Sequence, residues 1–156
     1  MVCWTVVFLL LLLVGLSRGA DVAPREPSKQ DKCPVCGMFV YKFPEWTAQI
    51  TFKDGTVVFF DGAKDLFKYY FDLKKYSPRK TKADIRVVYV TEYYAIKPVV
   101  AQDASFVIGS DVYGPMGREL IPIGTAEGAR EFLKDHKGKR ILRFDEITPA
   151  VIDKLE

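Results

Sequence analysis

"TAQITFKDGTVVFFDGAKDLFKYY", residues 47–70, decides the fold. Ala48, Ile50 and Phe52 alternate with Thr47, Gln49 and Thr51, the period of a half-buried strand. Lys53-Asp54-Gly55 reads as a turn, and the β-branched and aromatic residues 56–60 read as a second strand, so the two form a hairpin. Asp61 stands where a helix N-cap belongs. Ala63, Leu66, Phe67 and Tyr70 then fall at i, i+3, i+4 and i+7, which predicts a helix to about residue 75 with that face inward.

Outward from this stretch, residues 77–83 form a basic loop and residues 85–91, "IRVVYVT", a third strand. Residues 94–100 and 105–108 read as further strands, and residues 109–118, "GSDVYGPMGR", as a glycine-rich loop. Residues 120–123 are a short strand. Thr125 caps a helix with Ala129, Phe132, Leu133 and His136 on one face, and residues 139–144 close with a strand. Strand, strand, helix, strand therefore recurs. The fold class is α+β, with two related ββαβ units, about residues 32–92 and 93–148, packed as one compact domain.

The chain has 156 residues, enough for one domain or two small units packed as one. Hydrophobic residues at 49% against 28% charged supply an ordinary core. The net charge of +3 is spread among both signs, which excludes a nucleic-acid surface. Residues 1–19 carry an apolar run followed by small residues, the pattern of a secretory signal, with an uncleaved N-terminal anchor as the alternative. Export to a periplasmic or other extracytoplasmic space is the expectation. Residues 20–31 are polar, contain prolines and read as a flexible linker; the folded domain is expected over 32–156.

The chemistry is concentrated in "KCPVCGMF", residues 32–39. Beyond the leader the cysteines are Cys33 and Cys36 and the methionines Met38 and Met116. A Cys-X-X-Cys pair is compatible with a structural disulfide, a metal half-site or a redox dithiol. A redox dithiol sits at a helix start after a strand, whereas a polar linker precedes this pair and an irregular stretch follows it. Zinc normally takes four ligands, and the domain offers no third cysteine and one histidine, His136. Both methionines are flanked by glycine, whose loops can bend to bring sulfur to a shared point. Thiolate plus thioether is the donor set that selects Cu(I).

These residues carry a resemblance. Cys36-Gly37-Met38, "FVIGSDVYGPMGRELIPI" at 106–123 and "AREFLKDHKGKRILRFDEI" at 129–147 resemble the NosL family of copper-binding accessory proteins for nitrous oxide reductase assembly. The resemblance implies an extracytoplasmic Cu(I) chaperone with a topology shared with organomercurial lyase, working with a membrane ABC-type maturation complex. It implies delivery to a recipient cuproprotein such as nitrous oxide reductase, at its catalytic copper–sulfide centre. Carried over by position, Cys36, Met38 and Met116 are the expected ligands. The chain departs from the family in lacking a lipid-attachment cysteine and in adding Cys33, which stands as a fourth sulfur ligand, a disulfide partner of Cys36 or an auxiliary thiol.

His136 is expected to complete a helix C-terminus, with copper ligation as the alternative. Asp54, Asp61, Asp103 and Asp111 read as turn and cap residues. No catalytic triad, P-loop or dinucleotide fingerprint is present, so no enzymatic activity is expected. The readings set against copper delivery are a thiol–disulfide oxidoreductase using Cys33 and Cys36, and a non-catalytic adaptor stapled by their disulfide.

Overall fold

A computed structural model of the chain describes residues 22–156; the expected leader and the first two linker residues lie outside them. The opening hairpin forms as expected: β1 (Ala48–Phe52) pairs antiparallel with β2 (Val57–Phe60), and Gly55, at φ +86°, makes the turn. The following helix is shorter than the periodicity predicts. α1 (Ala63–Phe71) breaks at Asp72, whose side chain accepts from the Lys75 N–H and so starts the single-turn α2 (Leu73–Tyr76).

β3 (Ile85–Glu92) returns beside β1, and β4 (Lys97–Val100) extends the sheet, giving the order β2-β1-β3-β4. The strand expected over residues 94–100 therefore starts three residues late. Residues 93–96 are a turn instead, held where the buried Glu92 side chain accepts from the Ala95 N–H and where Ile96 takes φ +51°.

In the second half, β5 (Ser105–Ile108) is central, flanked by β8 (Ile121–Ile123) and β9 (Arg140–Arg143) in the order β8-β5-β9. Helix α3 (Ala126–Asp135) lies between the second and last of these strands in the chain. Thr125 caps it by accepting from Gly128 N–H. In each sheet, then, the first strand lies between the second and the one after the helix. The loop expected over 109–118 contains a two-stranded ribbon, β6 (Tyr113–Gly114) and β7 (Gly117–Arg118), and α4 (Pro149–Asp153) ends the fold.

The two halves share a core. Ile50, Phe52, Phe60, Leu66 and Phe67 pack in one cluster with Phe106, Leu120 and Leu142 from the second half. Val107, next to Phe106, points the other way into a smaller cluster with Ile123, Ala129 and Phe132, as strand alternation requires. All five residues of β1 are buried, including Gln49 and Thr51, which the alternation assigns to solvent. For Gln49 the reason lies in the stretch expected as a linker, which runs over this face. Arg25 N–H donates to Gln49 Oε1 and Gln49 Nε2 donates to the Arg25 carbonyl, each at 3.0 Å, while Tyr89 Oη donates to the Val22 carbonyl at 2.8 Å.

Candidate metal centre

Residues 32–39 form a tight loop closed by a bridge between Lys32 and Phe39. Cys33 N–H donates to the Met38 carbonyl and Gly37 N–H to the Cys33 carbonyl, both at 2.9 Å. Gly37 sits at φ +81°, the left-handed region that glycine enters without a steric penalty. The turn aims backbone N–H groups of Val35 and Cys36 at the Cys33 sulfur and that of Met38 at the Cys36 sulfur. Such dipoles favour thiolate, the form that binds metal.

Opposite the loop stands the first turn of α1. Cys33 Sγ donates to Asp65 Oδ2 at 3.3 Å, and Cys36 Sγ donates to Asp61 Oδ1 at 3.2 Å. Ligand atoms of all four residues lie within 4.8 Å of one another. Both cysteines are free thiols; Cys33 is buried and Cys36 half-buried. Burial pushes the Cys33 thiol far up, with Asp65 and Asp61 adding to the effect. Burial likewise pushes Cys36 up to about 12, reinforced by its hydrogen bonds to the carboxylates and opposed by the Met38 N–H. Asp61, only 1% exposed, has a second oxygen, Oδ2, with no hydrogen-bond partner among the described residues.

Of the four expected sulfur donors, the structure clusters Cys33 and Cys36 directly. Met38 is half-buried in the same loop. Met116, 44% exposed, sits in the turn between β6 and β7, and its carbonyl accepts from Lys64 Nζ at 2.8 Å. The Met116 loop thus abuts the start of α1, where Asp65 lies in the first turn and Asp61 just before the N-cap. His136 is at the C-cap of α3, stacked on Phe132 with a 4.3 Å centroid separation and 3.2 Å from Asp111.

Asp61 is not the helix cap that its position predicts: the N-cap is Gly62, without a side-chain bond. Asp61 and Asp65 are the site residues that sequence reasoning misses. The available signal is a pair of carboxylates at i and i+4 beside the apolar stripe of an amphipathic helix, where acidic side chains are rarely buried unless they are partnered.

Fold and site together define an α+β protein that presents a buried thiol–carboxylate cluster at one helix start and a methionine turn beside it. The NosL family model matches residues 24–152, and the chain belongs to the NosL family. The copper chaperone NosL from Shewanella denitrificans has a similar crystal structure, with TM-score 0.68 and 28% identity, covering 82% of this chain and 97% of that one. The solution structure of the apo-NosL protein from Achromobacter cycloclastes is 25% identical over 67% of this chain and 87% of that one, with TM-score 0.48. No curated protein matches the sequence.

Proposed function

We propose that this protein is a Cu(I) chaperone that binds one ion through Cys33, Cys36, Met38 and Met116 and passes it to a recipient cuproprotein. One observation carries the reading: in a chain of the NosL family, the cysteine loop and the Met116 turn converge on the start of α1. The copper chaperone with the similar fold supports the choice of metal. The soft donor set supports the monovalent state, because thiolates and thioethers favour Cu(I) while methionine needs no deprotonation. Asp61 and Asp65 hold the two S–H groups until copper replaces each proton with an S–Cu bond. Met116, the most exposed donor, is the ligand a recipient can displace first, so transfer proceeds by stepwise exchange of sulfur ligands.

The recipient we propose is nitrous oxide reductase, reached with a membrane ABC-type maturation complex outside the cytoplasm, as the family resemblance and the N-terminal leader support. A thiol–disulfide oxidoreductase is the weaker reading, because that chemistry needs a ready thiolate and both thiols here are pushed upward. The reading is tested by anaerobic Cu(I) titration of the reduced protein against a chromogenic chelator. One-to-one binding that competes with the chelator and is lost in Met116→Ala is expected; weak binding indifferent to Met116 would overturn the ligand set.

A further inference from the structure

Two ionisable side chains with no part in the ligand set join the first turn of α1 to the β6–β7 ribbon. Lys64, 3% exposed, directly precedes Asp65, and its Nζ donates to the Met116 carbonyl at 2.8 Å and the Leu155 carbonyl at 3.5 Å. Glu119, also 3% exposed, reaches the other way: its Oε1 accepts from the Lys64 N–H at 2.5 Å and from the Leu120 N–H at 2.8 Å. The carboxylate thereby satisfies a first-turn amide of α1 that Gly62, having no side chain, leaves open.

The Glu119 side chain runs through a slot between two glycines, one from each element it joins. A β-carbon on Gly62 would collide with Glu119 Oε2, and one on Gly114 would meet Glu119 Cγ at 3.1 Å and Oε2 at 3.2 Å. The contact is therefore reciprocal: the lysine of the helix grips the methionine turn, and the glutamate following that turn grips the lysine's own amide. Apolar residues would join the two elements without burying polar groups. What Lys64 and Glu119 add is a fixed direction, because each bonds to a backbone group of the other element, Lys64 to the carbonyl of residue 116 itself.

We propose that Lys64 and Glu119 are positioning residues that set where the Met116 sulfur stands relative to Cys33 and Cys36, and so set the affinity for Cu(I) without touching the ion. The inference rests on the reading in which Met116 is a ligand. Partners that orient a metal ligand typically contribute roughly 10- to 100-fold in affinity.

A double-mutant cycle tests it, with Cu(I) affinity read by chelator competition and the number of sulfur neighbours by X-ray absorption. Lys64→Leu is expected to weaken binding by roughly 10- to 100-fold, to match Met116→Ala, and to lose one sulfur neighbour. The combined variant should be no weaker than either alone. Glu119→Gln should retain affinity because its amide oxygen still accepts both N–H bonds, whereas Glu119→Ala should lose it. Losses that multiply, or full affinity in Lys64→Leu alongside a loss in Met116→Ala, would overturn the positioning role alone. Full affinity in Met116→Ala would instead overturn the ligand assignment, and this inference with it. If Lys64→Leu does not fold, Gly114→Ala presses on the same glutamate stem; weakened binding in the folded variant supports the role, and unchanged affinity contradicts it.

Discussion

Asp61 illustrates how one side chain serves the site. It gives one oxygen to the Cys36 thiol and keeps the other buried without a partner among the described residues, an arrangement that costs stability and calls for a functional reason. Asp61→Asn removes the charge beside the thiol while keeping the shape. The Cys36 thiol should then titrate below its value of about 12, by only part of the shift, because burial is the first cause and remains. Thiolate absorbance against pH, in a variant with Cys33 replaced by serine, measures this; an unchanged midpoint would mean that Asp61 contributes nothing. The sequence points to Cys33 and Cys36 because paired cysteines have few uses. It conceals Asp61 because an acidic residue between a strand and a helix is also the ordinary signature of a cap. The cap reading fails here because Glu119, from a distant segment, supplies the acceptor for a first-turn amide.

The helix start is where α1 and the ribbon meet, and its stability is coupled to pH through Glu119. Burial raises this carboxyl from its ordinary 4.5 to about 8, although the Leu120 and Lys64 N–H groups and the Lys64 charge favour its ionised form. The folded protein therefore holds a proton that the unfolded chain releases above about pH 4.5. The stabilisation from Glu119 is full below that value and is lost as pH rises to about 8, with a slope of up to about 1.4 kcal/mol per pH unit. Glu119→Gln should flatten the profile of unfolding free energy across this window, measured by urea denaturation at several pH values; an unaltered slope would contradict the assignment. Elements with strong local patterns, such as the β1–β2 hairpin and α3, are legible from sequence. The break at Asp72, the turn over residues 93–96 and the N-terminal strap over Gln49 are not. Each depends on a side-chain bond to a backbone group, which hydrophobic periodicity does not report.

Across the whole molecule, the shared core fixes two loops from different halves against one helix. That the cysteine loop and Met116 share a point is expected from their chemistry; that both lie against the start of α1 is not legible, because the Lys64 and Glu119 bonds that hold the Met116 turn there span 52 and 55 residues of chain. In the proposed copper site, ligation by Cys36, whose thiol burial pushes up to about 12, expels its proton at neutral pH. The apparent dissociation constant for Cu(I) should therefore fall by at least about tenfold per pH unit from about pH 6 to 8. Chelator competition at fixed free Cu(I) reads this, and a flat profile would show that no thiol proton is displaced. The most direct measurement is a crystal structure of the Cu(I)-loaded protein with anomalous data at the copper edge. The account expects one copper peak bonded by the sulfurs of Cys33, Cys36, Met38 and Met116. A peak bonded by Cys33, Cys36, Asp61 and Asp65 with Met116 turned away would contradict it.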